Sequence, residues 1–179
     1  MELMKAAAER RSIRAFKSGM TVTEDQIKEM IACAQLAPSW KNSQTARYYA
    51  VLSPEKVKEI KTKCLPEFNA ASCADAPALI VTTFEGKRAG FDREGNPDTE
   101  LHDEWGAYDL GLQNQNLLLK ATELGFDTLV MGIRDGAALR SALDIPDSQV
   151  VVAVIAVGYR ASDAVMPKRK DVEAILKVF

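Results

Sequence analysis

Histidine is almost absent from this chain, with one residue in 179. His102 alone leaves no room for a Ser-His-Asp triad or a His-rich metal centre, and His102-Asp103-Glu104 does not have metal-ligand spacing. Cysteine is scarce too. Cys33, Cys64 and Cys73 are odd in number and form no C-x-x-C pair, which argues against a disulfide framework or a zinc ribbon and fits a reducing cytoplasm. A basic surplus is missing: 23 Lys and Arg face 25 Asp and Glu, for a net charge of −2. A general nucleic-acid binder would carry the opposite balance. Long apolar runs are missing as well. The longest, Val150 to Val157, is too short for a bilayer, and the charged, Ala-rich first ten residues are not expected to act as a signal peptide. Neither G-x-x-x-x-G-K-[ST] nor G-x-G-x-x-G occurs, and residues 92–98 lack the alternating acids and closing Glu of a calcium loop.

The chain that remains is long enough for one domain, 1–179, with a proper core. Residues 2–10 read as a short amphipathic helix. Thr23 with Gln26 forms a capping box ahead of Ile27, Met30, Ile31 and Ala34 at helical spacing, and Pro38 stops the run. Arg47 to Leu52 reads as a strand, and Ser53-Pro54 opens a helix with Val57, Ile60 and Cys64 on one face. Ala78 to Phe84 is a second strand. A long polar excursion with Gly90, Gly95 and Pro97 then runs from 86 to 103. Trp105 to Leu124 is the longest helix. It is apolar or small on most faces and is closed by Gly125. Thr128 to Met131 is a third strand and Gly136 to Leu143 another helix. The apolar run Val150 to Val157 reads as a strand buried on both faces. Four strands among helices, without regular βαβ alternation, imply an α+β fold.

Four segments carry residues suited to chemistry. Arg10, Arg11, Ser12 and Arg14 place three guanidiniums and a hydroxyl on one short stretch, which suits a phosphate and an anionic ring edge. As an isolated feature the same stretch is a solvated basic helix end. Pro38, Ser39, Trp40, Asn42, Ser43 and Gln44 form a Pro-broken turn rich in amides and hydroxyls. Such a turn can both donate and accept around a flat heterocycle. Gly132, after the third strand, permits close approach of a backbone N–H. Lys168, Arg169 and Lys170 are three adjacent cations near the end of the chain, ordinarily a surface feature.

The combination R-S-x-R followed by P-S-x-x-N-S-Q resembles the FMN-dependent nitroreductase family, and the likeness extends from Arg10 to Lys170. The resemblance implies a central, mostly antiparallel sheet flanked by helices, in a homodimer with FMN at the interface. It implies that Arg10, Arg11, Ser12, Arg14, Asn69, Gly132, Lys168, Arg169 and Lys170 of one subunit hold the cofactor. Pro38, Ser39, Trp40 and Asn42 of the other subunit complete the site. Asn69 is implied to bond the ring, and the 168–170 triplet to close over the phosphate. The implied chemistry is ping-pong hydride transfer from NAD(P)H through flavin N5 to an electron-poor acceptor such as a nitroaromatic or a quinone, with no essential side-chain acid or base. The same family also contains enone reductases, dehalogenases and flavin-fragmenting enzymes, and a non-catalytic flavin store is a further alternative. The chain departs from the family at three places. Thr45-Ala46 stand where Pro-Trp commonly follow N-S-Q, Ser72 stands where some relatives have Lys, and Met131 stands where some have an acid.

Overall fold

A computed structural model describes residues 2–179. The elements are α1 (Leu3–Glu9), α2 (Glu24–Ala34), a 3-10 turn (Trp40–Asn42), β1 (Ala46–Val51), α3 (Pro54–Lys63), α4 (Glu67–Ser72), β2 (Ala78–Glu85), α5 (Glu104–Glu123), β3 (Asp127–Met131), α6 (Gly136–Leu143), β4 (Gln149–Gly158) and a second 3-10 turn (Val172–Ala174). The strands form one sheet in the order β1-β2-β4-β3, antiparallel at every pairing. This is the α+β arrangement the sequence implies.

Local chemistry explains most boundaries. The Thr23 hydroxyl accepts the Gln26 N–H while the Gln26 side chain accepts the Thr23 N–H, a complete capping box. Ser53 caps α3 at Lys56, with Pro54 at the first helical position. Asp135 caps α6 at Ala138. Gly125 follows α5 at φ +82°, a left-handed turn that ends the helix at little cost for glycine.

Alternation along the central strands splits the core in two. Leu79, Val81, Val154 and Ala156 face one side, with Val57 and Ile60 of α3 and Leu139 of α6. Ala78, Ile80, Ile155 and Val157 face the other, with Ile27 and Met30 of α2 and Leu117 and Ala121 of α5. Helices on both faces account for the unbroken apolar run of β4. Its start differs from the expectation. There only the α6 side is covered, so Val151 is buried with Leu139 and Ile145 whereas Val150 is exposed.

Two consequences matter for the site. The segment after α1 is extended and is stitched to the sheet edge. The Ile13 N–H donates to Thr128 O, Ser12 bridges Thr128 in parallel, and Phe16 bridges Arg160. Buried Ile13 and Phe16 anchor it in the core. Beyond the Phe16–Arg160 bridge the chain end is open: residues 168–179 are all exposed, including Ile175, Leu176, Val178 and Phe179. Among the described residues no helix is long and apolar enough to cross a membrane.

Candidate active site

Three of the four segments lie at two separate corners of the sheet, and the fourth, 168–170, lies on the exposed chain end. Arg10 caps the end of α1, and Arg11 through Arg14 lie on the extended segment beside β3. Ile13 points into the core, which leaves Ser12 and Arg14 exposed on either side of it. Arg11 donates to the Arg10 carbonyl at 2.6 Å, and Arg14 to the Ser12 carbonyl at 3.3 Å. These bonds stay within the segment: Arg10 stands at the helix end, and Arg11 to Arg14 continue from it as extended backbone.

Asn69 and Gly132 are brought together at the same sheet edge. The Asn69 side chain is buried, and its Nδ2 donates to the Ile133 carbonyl at 2.8 Å, tying α4 to the residue after Gly132. Its Oδ1 remains available as an acceptor. Gly132 is exposed, and a Cβ built on it meets nothing within 4 Å. The chain's own packing does not demand a glycine there. Ser72, where some relatives have Lys, turns its hydroxyl back to Phe68 O. Met131 is buried in the core beside Leu129 and Leu139.

Pro38 to Gln44 precede β1, at the opposite corner of the sheet. Ala46 pairs with Phe84, whereas Thr128 lies on the row of Val157 and Ala78. Three strand spacings and six residues of strand separate the two corners, about 14 Å across and about 20 Å along. Within one chain, Arg10–Arg14 and Ser39–Asn42 are therefore not parts of one pocket.

This second corner is unusual in its backbone. Lys41, Asn42 and Gln44 have φ of 45°, 54° and 48°, three non-glycine residues in the left-handed region within four positions. Each costs of order 1 kcal/mol, and such strain persists only where surroundings impose it. The restraint is visible. The Trp40 N–H donates to Asp109 Oδ2 at 2.8 Å, and the Gln44 N–H to the Ser39 hydroxyl at 3.1 Å. Asp109 is only 3% exposed, and burial pushes its carboxyl up from the ordinary range while the Trp40 N–H pulls it down. The Trp40 ring lies 4.6 Å from that of Trp105, which meets Tyr108 edge-on at 5.5 Å. Trp40 Nε1, Ser43 Oγ and Thr45 Oγ1 are buried and have no hydrogen-bond partner among the described residues. Unpaired buried polar atoms are costly, and three in one short segment leave room for a ligand or another chain to complete them.

Lys168, Arg169 and Lys170 lie on the open chain end. Arg169 donates to the Pro167 carbonyl, and all three are exposed. The structure does not pair them with Arg10, although residues 15–17 and 159–161 join the two regions by backbone hydrogen bonds.

The nitroreductase family matches residues 7–159, most of the chain. The chain belongs to the nitroreductase family. An Archaeoglobus fulgidus protein provisionally named an NADH dehydrogenase/NAD(P)H nitroreductase is 28% identical, over 88% of this chain and 85% of its own. MhqN of Bacillus subtilis, provisionally named an NAD(P)H nitroreductase, is 27% identical, over 94% and 95%. Among solved structures, a nitroreductase-family protein from Exiguobacterium sibiricum in complex with FMN superimposes with a TM-score of 0.88 at 20% identity, over 100% of this chain and 98% of its own. At that identity the likeness is one of fold.

In this nitroreductase-family chain the residues that sequence reasoning missed are those that shape the second corner. Asp109 and Trp105 sit within a helix whose apolar pattern hides them. Asp109 meets Trp40 across 69 positions, and no local signal announces such a contact.

Proposed function

We propose that this protein is an FMN-dependent oxidoreductase, working as a homodimer, that takes reducing equivalents from NAD(P)H and passes them to an electron-poor acceptor such as a nitroaromatic or a quinone. The observation that carries the reading is the split site. One chain has a cationic, glycine-bearing edge and a strained, amide-rich turn at opposite sheet corners, and a second copy can bring one of each together. The exposed chain end supports such an assembly, because Val165, Ile175, Val178 and Phe179 are 72–112% exposed. So does the outer face of α5, where Ala107, Tyr108 and Gly111 are exposed.

The residues present fit FMN. Arg10, Arg11 and Ser12, with Lys168, Arg169 and Lys170, would hold the phosphate. Arg14 and Asn69 would face the ring, with open space above Gly132 for close approach. Pro38, Ser39, Trp40 and Asn42 of the other copy would supply the second wall. The orphaned Trp40 and Ser43 atoms are then available to ligand or partner. Bound FMN would supply the hydride-accepting and hydride-donating centre. The chain's own part is to bind and orient it. Trp40, Trp105 and Tyr108 provide flat apolar surface beside that wall, which favours a planar acceptor. The deciding experiment is sedimentation of the purified protein followed at a flavin wavelength. A yellow dimer that releases FMN on denaturation is expected. A colourless protein, or a stable monomer that retains FMN, would overturn the reading.

A further inference from the structure

The excursion between β2 and α5 carries positive charge that the fold does not use. A cavity of about 950 Å³ opens between it and the turn at Trp40, with Lys41, Lys87, Arg88 and Arg93 on its walls. That volume lies within the range of small-molecule sites. Lys41 is already paired, its Nζ 2.6 Å from Asp98 Oδ2. Asp92 is engaged as well, since its Oδ1 accepts the N–H groups of Glu94 and Asn96 and so closes the loop's own turn. Lys87, Arg88 and Arg93 have no ion-pair partner among the described residues, and Glu94 is the one other carboxylate on the wall. Three free cations against one free carboxylate make the cavity an anion site in charge. Two further wall residues point to an occupant. Trp40 Nε1 and Ser43 Oγ are buried and have no hydrogen-bond partner among the described residues.

The place of this cavity suggests its ligand. It adjoins the turn that the proposed function sets against the flavin ring. A dinucleotide donor bound with its nicotinamide at that ring must send its phosphates outward along a neighbouring wall. We infer that the cavity is the phosphate subsite for the dinucleotide donor, with Arg88 and Arg93 as the specificity-determining side chains. The guanidinium fork is matched to phosphate oxygens, which a lysine ammonium meets only as a point charge. The inference rests on the oxidoreductase reading. The phosphate concerned is either the pyrophosphate, common to both nicotinamide donors, or the 2′-phosphate, found on NADPH alone.

The test is the double variant Arg88→Gln/Arg93→Gln in FMN-loaded protein. Rapid mixing gives the dissociation constants of NADPH and NADH from flavin reduction. Calorimetry with 2′,5′-ADP measures binding without turnover. Donor binding is expected to weaken about tenfold or more, with kcat/KM for menadione, an uncharged acceptor, unchanged. Arg88→Lys/Arg93→Lys should recover part of the loss and shows that the surface loop tolerates replacement. Equal losses for NADPH and NADH assign the pyrophosphate. A loss confined to NADPH and 2′,5′-ADP assigns the 2′-phosphate. Unchanged binding of both donors overturns the subsite alone, as does a loss that falls on menadione instead. A wild-type protein that neither nucleotide reduces overturns the oxidoreductase reading and this inference with it.

Discussion

The two corners of the sheet solve different problems by different means. The segment 10–14 has ordinary extended backbone, zipped to β3 and anchored by a buried isoleucine, with Arg14 exposed and Arg10 and Arg11 half-buried and without an ion pair among the described residues. The turn at 38–44 forces three non-glycine residues into left-handed conformation and holds them with a buried carboxylate. A phosphate asks only for charge at roughly the right place, since long guanidinium side chains can adjust. A flat ring asks for backbone groups at fixed positions, and a short loop can present those only when its conformation is imposed. The comparison predicts where damage falls. Harm at the first corner should act through anchoring and charge, and harm at the second through loop shape.

The largest effect should come from the anchor. Ile13 is 1% exposed within the cluster that holds Leu79, Val81 and Leu129. Ile13→Ala is expected to cost about 2–5 kcal/mol, the range for deleting a buried aliphatic side chain. Chemical denaturation of the flavin-free protein checks this, and a loss below about 1 kcal/mol would mean the segment is not part of the core. Next comes charge. Arg10→Ala should leave stability nearly unchanged but cost about 1.5–3 kcal/mol in FMN affinity, the worth of a hydrogen bond to a charged group. Riboflavin, which lacks the phosphate, should be indifferent to the change. An equal loss for both ligands would place Arg10 away from the phosphate.

The sequence discloses the corners unequally, for the same reason. Local rules govern most of the fold. Thr23-Gln26, Ser53-Pro54 and Gly125 mark helix ends by chemistry confined to a few residues, and the structure uses each as read. The run is legible from Ala153 onward because a strand covered on both faces needs apolar residues throughout, whereas exposed Val150 at its start is apolar without that cause. Helix α4, six residues behind Pro66 with no side-chain cap, is too short to establish a period. The cation cluster is legible as composition, but its extended backbone is not, because that depends on Thr128 more than a hundred positions away. In the turn, the amides and Pro38 are visible in the sequence. The left-handed Lys41 and Gln44 are not, since neither residue type favours that conformation. Asp109, which pins Trp40, looks like any isolated polar residue within a helix that is apolar or small on most faces.

Asp109 gives the smallest expected effect and the sharpest test of the second corner. Its carboxyl is raised above the ordinary range by burial, so the native state holds the proton more tightly than the unfolded chain does. The stability contributed by that proton is fully present below the ordinary carboxylate pKa and is lost as pH rises through the higher folded value. Asp109→Asn keeps a carbonyl oxygen to accept the Trp40 N–H and removes the titration. Its stability relative to wild type should therefore rise between pH 4 and pH 7, with a difference within about 1 kcal/mol at neutral pH, the net worth of one hydrogen bond. Asp109→Ala removes the acceptor as well and should destabilise. Fluorescence separates the two variants, because the protein's two tryptophans, Trp40 and Trp105, both stand at this corner. Emission should be preserved in Asp109→Asn and shifted to longer wavelength in Asp109→Ala as the loop relaxes. If the pH profiles of Asp109→Asn and wild type run parallel, burial does not raise the Asp109 carboxyl. If Asp109→Ala keeps native emission, the strained turn is held without it.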